Sequence, residues 1–411
     1  MKMQRSTRLE FETLEDRVTP ATLTWTGAVD GLWSDPGNWS TSDVTHTVPM
    51  SGDAVVLPAG APNRVQTDFS VNLSSLAFQD VGYSISGDQI DILMSGQISA
   101  TSSTFGTDQI ACDINSTGFV VISFGSSLEL SLTGNVTISS SGPFHEVGLT
   151  VSGPSSALLS IGGNLSFAPT GFAGAGFVVD TQVAISGSVS IPFGDLVVHA
   201  SSRVDVEPGG VLSLEQDAGA FVSGQLYVAG VAALSAPSNV DGGLILIESG
   251  GQLFVAGPLT VASGEVYDAG LMVVERSDMG PDGQVDVNGS GSFLVIAAGG
   301  ELYSAELTET TAGGQIYDFG VVEVASGGTG LYVYDGVLTV EQGGALYVYG
   351  TVAIEPDSAL YDYGNLVLEP SGYLYNADLV VIEQGGVFYD YGTFANFGNY
   401  YNFGQQIGSG G

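Results

Sequence analysis

The chain has 411 residues, 44% of them apolar and only 12% charged, a balance that excludes a disordered chain and allows a well-buried core. Glycine, at 60 residues, is about twice its usual share. The formal net charge is −37, a surface that repels phosphate backbones and anionic lipid heads, so no nucleic-acid partner is expected, while cations and neutral glycans stay compatible.

In the first twenty residues Lys2, Arg5, Arg8 and Arg17 offset Glu10, Glu12, Glu15 and Asp16, so the excess charge falls on the rest. There the only basic residues are Arg64, Arg203 and Arg276. The leader lacks the apolar stretch of a standard secretory signal, and no transmembrane segment is expected because no apolar run approaches ~20 residues. The lone Cys112 excludes an intramolecular disulfide and reads as a buried free thiol. Residues 11–21, FETLEDRVTPA, resemble the LEDR-x-x-P motif near the N-termini of exported, repeat-rich proteins of planctomycete-type bacteria. That resemblance implies export.

Residues 24–58 hold all three tryptophans, in Thr24-Trp25-Thr26-Gly27, Gly31-Leu32-Trp33-Ser34 and Gly37-Asn38-Trp39-Ser40, followed by Val48-Pro49 and Gly52-Asp53-Ala54-Val55-Val56. The block resembles the opening of autotransporter-passenger-type β-solenoids. The first coil of a stacked fold leaves a sheet edge and a core end uncovered, and bulky aromatics can close both. The tryptophans are read as that cap, a sugar-stacking platform being the alternative. From 70 to 200, short alternating runs such as Leu128-Glu129-Leu130-Ser131-Leu132 and Val136-Thr137-Ile138 are separated by Gly, Ser, Asn and Asp, which predicts strands of four to six residues and almost no helix. The resemblance to autotransporter-associated β-strand repeats extends weakly through this region.

The clearest organisation lies at 336–392, where a 14-residue unit runs four times: GVLTVEQGGALYVY, GTVAIEPDSALYDY, GNLVLEPSGYLYNA and DLVVIEQGGVFYDY. Each unit is an alternating run, a Glu, a turn and a second alternating run. Apolar residues two apart, such as Leu338/Val340 and Val352/Ile354, have strand spacing with one face buried. Strands this short cannot stand alone and must stack on neighbours. The expected fold is therefore all-β, a right-handed parallel β-helix capped at both ends. Each unit divides into two seven-residue segments, so three segments give a three-faced coil of about 20 residues. A flattened two-sheet coil of one unit is the alternative, but it would stack Glu341, Glu355, Glu369 and Glu383 in one column at a cost of about 1 kcal/mol per neighbouring pair. With about 18 coils the rod would be roughly 85 Å long. One continuous solenoid is expected over 22–404: a Trp-rich cap (22–60), irregular coils (61–242), regular repeats (243–392) and an aromatic C-terminal cap (393–404). A disordered leader (1–21) and a disordered tail (405–411) flank it. The C-terminal end shows no ~10-residue membrane strands, so the chain resembles the passenger part alone.

Enzymes that cleave acidic polysaccharides share this architecture, and they combine clustered carboxylates with basic residues. Here His46, His145 and His199 stand apart from any carboxylate pair and only three arginines follow the leader, so catalysis is not expected. For a cofactor, the sequence offers only a weak Ca²⁺ site. Residues 278–289 resemble an EF-hand or dockerin-type loop, which would enlist Asp278, Asp282, Asp286 and Asn288, although Gly280 and Gly289 stand where acidic ligands are usual.

The late tyrosines are the binding candidates: Tyr332/Tyr334, Tyr347/Tyr349, Tyr361/Tyr363, Tyr373/Tyr375 and Tyr389/Tyr391. Facing outward they form an amphipathic strip for cell-surface glycans or other surface proteins, but Asp362, Asn376 and Asp390 then face inward or sit at a corner, which weighs against that facing. Facing inward they form a buried aromatic ladder, and Asp362, Asn376 and Asp390 then point out. Both facings stay open from sequence. The sequence thus points to an exported, non-catalytic structural or adhesive solenoid of the cell surface or extracellular matrix, with a polysaccharide-binding or polysaccharide-cleaving β-helix as the alternative.

Overall fold

Short strands, most of four residues with alternating burial, recur from Thr22 to Gly408, and beyond the first two they hydrogen-bond to the strand one turn away instead of to the sequence neighbour. The structure is a computed structural model that describes residues 20–41, 47–102, 104–140, 147–168, 175–276 and 282–408. Residues 11–19 of the leader motif, His46, His145 and Asp278 lie outside these residues. The fold is an all-β parallel solenoid with turns of about 22 residues. No helix among the described residues is long and apolar enough to cross a membrane.

Each turn carries three strands. Within the repeats, Val337–Val340 lies on what we term face 1, Ala345–Val348 on face 2 and Thr351–Ile354 on face 3. The next strand, Ala359–Asp362, returns to face 1 and pairs in register with Val337–Val340. One turn thus takes three seven-residue segments, and the 14-residue unit covers two faces, so the pattern closes every two turns. Face 1 is a continuous sheet of 16 strands, one per turn. This is fewer than the 18 or so turns expected and shortens the rod to roughly 70 Å at ~4.8 Å per turn. The difference comes from long excursions: Glu265 pairs with Phe293, the connection at 275–283 lengthening that turn. Faces 2 and 3 merge into one 30-stranded sheet because long strands such as Ser188–Val198 and Val211–Val222 run through the corner without a turn, with a register shift between Ile191 and Phe193.

Alternation puts Leu338, Val340, Leu346, Val348, Val352 and Ile354 wholly inside, each worth ~1.5–3 kcal/mol of burial. The glycine content has a steric cause at the corner between faces 1 and 2. Gly320, Gly344, Gly364, Gly386 and Gly404 each precede a face-2 strand, and a Cβ there would lie 2.1–2.4 Å from a carbonyl oxygen of the turn before. Gly364→Ala should therefore cost about 1–3 kcal/mol through backbone displacement. Gly291→Ala, with nothing within 4 Å of its Cβ, should change stability by less than ~0.5 kcal/mol. Urea melts of the two variants check this.

At the N-terminal end Trp39–Thr41 pairs antiparallel with Thr22–Trp25 and covers the first open edge. Trp39 stands edge-on to Trp25 at 5.0 Å and to Trp33 at 4.7 Å, and all three are buried. The buried Asn38 fixes this lid, accepting from the Val29 and Asp30 N–H groups and donating to the Leu32 carbonyl. At the other end Phe394 and Tyr400 pack edge-on against Phe388 and close the core. Phe397, Tyr401 and Phe403, also expected to close it, instead face solvent because they occupy outward or corner positions. Gln405–Gly408, expected to be a disordered tail, forms a further face-2 strand paired with Val387–Asp390.

Candidate binding face

Strand alternation decides the facing of the tyrosines. Leu346, Leu360, Leu374 and Phe388 occupy the second position of their strands and lie inside, so Tyr347, Tyr361, Tyr375 and Tyr389 at the third position stand outside on the middle of a face. Tyr332 occupies the same position on face 3. Tyr334, Tyr349, Tyr363 and Tyr391 follow the last strand residue and stand on corners, while Tyr373 opens its strand. The mid-face rings are half-buried, and Tyr334, Tyr363, Tyr373 and Tyr391 are 38–51% exposed. Tyr332 and Tyr334 lie parallel with centroids 5.7 Å apart. The ten tyrosines form no core ladder, and they are shared among three faces instead of forming one strip.

The three-faced coil also separates the glutamates. Backbone hydrogen bonds between turns order one corner column as Phe319, Glu341, Tyr363, Glu383, Phe403. The two carboxylates are thus two turns apart with a phenol between them, which roughly halves the ~1 kcal/mol repulsion of adjacent turns. The Tyr363 pKa is raised, first by burial of its hydroxyl and then by Glu383 and Glu341.

The side chains that looked misplaced in the sequence are the inward ones. Asp362 and Asn376 are fully buried and Asp390 nearly so. On face 1 the fourth inward position reads Ile247, Asp268, Ile296, Asp318, Val340, Asp362, Ile382, Asn402 from turn to turn. Each aspartate ends its strand in an Asx turn, with Oδ1 accepting from Gly270, Gly320 or Gly364 two residues on, at 2.9–3.0 Å. Oδ2 of Asp268, Asp318 and Asp362 has no partner. Lying between aliphatic side chains, all three are pushed up by desolvation to a pKa of about 7. Asn376 fills the equivalent place on face 3 with its amide satisfied. Its Oδ1 accepts from the Asp378 N–H, and its Nδ2 donates to Asn396 Oδ1 at 2.7 Å and to the Asn399 carbonyl at 2.9 Å. The signal was present in the sequence as the triplets Asp268-Ala269-Gly270, Asp318-Phe319-Gly320 and Asp362-Tyr363-Gly364.

Of the calcium candidates, Asp286 and Asn288 lie on the regular strand Gln284–Asn288, so this part of the loop-like stretch is sheet. Asp286 accepts from Thr311 Oγ1 and from Asn288 Nδ2, and Asp282 stands 3.4 Å from Arg276. Among the described residues no three His, Cys, Asp or Glu side chains converge as a metal site. Arg203 is bound bidentately by Asp205 and lies 3.7 Å over the Tyr227 ring, beside a shallow recess that also touches Glu248. Cys112 is buried, and its thiol pKa is pushed up to about 11 by desolvation.

No family model matches the chain, and no curated protein matches it. Among solved structures it is similar to the TibC-catalyzed hyper-glycosylated TibA 55–350 fragment, at 14% identity over 83% of this chain and 98% of that one, with a TM-score of 0.25, a likeness too low to place any residue of one on a residue of the other.

Proposed function

We propose that the protein is an exported, non-catalytic solenoid rod of the cell surface or extracellular matrix, and that it serves there as an adhesive or structural element. The observation that carries this reading is the outward placement of every tyrosine in the repeated pairs, over a core that is mainly aliphatic in the repeats. Amphipathic rings repeated on a rigid support suit many weak contacts with sugar rings or protein surfaces. The buried aspartates do not suit acid–base catalysis, because they are sealed inside the coil and separated by Ile296 and Val340. Export rests on the resemblance of residues 11–21 to the LEDR-x-x-P motif.

Glycan-array binding tests the reading. The native chain should bind, and a variant with Tyr347, Tyr349, Tyr361 and Tyr363 changed to Ser should lose at least tenfold in affinity while keeping its melting temperature within a few degrees. Equal binding by both proteins would remove the tyrosines from the account. Reducing-sugar release from any polysaccharide would replace adhesion with cleavage.

A further inference from the structure

Face 1 carries a longer array than the repeat itself reveals. Tyr227, Tyr267, Tyr317, Tyr361 and Tyr401 occupy the same mid-strand position on every second turn. Between them stand the shorter side chains of Leu246, Val295, Thr339 and Val381. Five partly exposed rings thus form a file with four steps of roughly 9.5 Å, twice the strand spacing, the first of them, Tyr227, lying under the Arg203 guanidinium and the other four free of it. The neighbouring outward row puts an amide in three of the five tyrosine turns, at Gln225, Gln315 and Asn399, and the Tyr317 hydroxyl bonds Gln315.

The charge of this face is as unusual as its spacing. In a chain of net charge −37, the two outward rows from Gln225 to Tyr401 contain one charged residue, Glu265. Carboxylates stand along the rim instead, at Glu248, Glu341 and Glu383. A neutral track between acidic edges admits an uncharged polymer and repels an anionic one.

We infer that face 1 is a docking track for a neutral, extended β-1,4-linked glycan of the cellulose or chitin class, lying parallel to the solenoid axis. Such a chain turns each pyranose ring by half a revolution relative to the last, so the same ring face recurs every second sugar. A platform that meets one face of it needs an aromatic ring at each disaccharide step, which is what a two-turn tyrosine period supplies. The shorter side chains at the intervening positions leave room for the alternate sugar, and the amides reach its hydroxyl groups. This inference rests on the adhesive reading above and narrows it to one face and one linkage.

The test is depletion of the full-length chain from solution by microcrystalline cellulose and by chitin, with starch and polygalacturonate as controls. One or both β-1,4 polymers should retain the native protein, and neither control should. Changing Tyr267, Tyr317 and Tyr361 together to Ser should weaken retention at least tenfold, whereas Phe254→Ser with Tyr303→Ser, at outward positions of face 2 that belong to none of the repeated tyrosine pairs, should leave it unchanged. Circular dichroism and melting curves identify any variant that has lost its fold, and single substitutions then replace the triple one. The inference is overturned if neither β-1,4 polymer retains the native chain, or if the face-1 variant is retained as well as the native one. It is also overturned if that variant abolishes a concentration-dependent self-association in sedimentation velocity and no glycan is held, because the track would then be a protein interface. Array binding that depends on tyrosines but shows no β-1,4 preference would sink this inference and leave the adhesive reading standing. An array with no ligand at all would sink both.

Discussion

Raising the pH from 4 to 7 should destabilise the protein by several kcal/mol, and changing Asp268, Asp318 and Asp362 together to Asn should remove most of that loss. Each carboxyl holds its proton in the fold up to a pH of about 7, whereas the unfolded chain releases it near 3.8. Between those values the folded state binds more protons than the unfolded state, so stability falls as pH rises. The contribution is fully present below about pH 4, declines through the window and is flat above about 7. A gap of this size corresponds to at most ~4 kcal/mol for each aspartate. Mutual repulsion of the surface acids acts in the same direction, which is why the variants are needed to isolate the buried column. Asparagine is the informative replacement because Asn376 already fills an equivalent position with its amide hydrogen-bonded. The triple variant should be more stable than the native chain at pH 8 and nearly equal to it at pH 4, as read by urea midpoints. The reverse change, Asn376→Asp, should add pH dependence of the same sign. A native profile that is flat or rises between pH 4 and 7 would contradict this.

Trp39→Ala should unlatch the N-terminal end while leaving the regular repeats folded. The indole fills the space between Trp25 and Trp33 and donates from Nε1 to the Trp33 carbonyl at 2.8 Å. Its removal should cost about 3–5 kcal/mol through lost burial and the cavity left behind. In a stacked fold each turn contacts only its neighbours, so the loss stays near the lesion. Hydrogen exchange should show protection lost in the first turns, from Thr22 to about Ala100, with the strands from Val337 to Asp390 unchanged. Uniform loss along the chain, or no loss, would count against a lid. The burial of all three indoles also explains why they are not a sugar platform: no ring face is left open.

The repeats at 336–392 made the three-faced coil legible, because a strand spacing of two and a segment length of seven both survive there uninterrupted. The outward tyrosines were half legible: the alternation offered two facings, and only the identity of the inward partner, Leu346 or Phe388, decided between them. The polar residues Asp362 and Asn376 weakened the correct facing because a buried carboxylate looks costly until its Asx turn is seen. The face-1 tyrosine file was hidden because Tyr227, Tyr267 and Tyr317 are separated by irregular stretches, including the connection at 275–283, which erase the period in sequence while preserving it in space. Corners crossed by continuous strands, as at 188–198, left no turn residues to mark them.

The central claim is that residues about one three-segment turn apart lie side by side, which is what aligns tyrosines on a face. Paired cysteines test it directly. Thr339 and Tyr361 are in register on adjacent turns of face 1, so Thr339→Cys with Tyr361→Cys should form a disulfide under mild oxidation. The native Cys112 does not compete, being buried and held protonated. Ala353, one 14-residue unit after Thr339, lies on face 3, so Thr339→Cys with Ala353→Cys should stay reduced. Cross-linking of the second pair and not the first would mean that the unit, not the three-segment turn, is the coil.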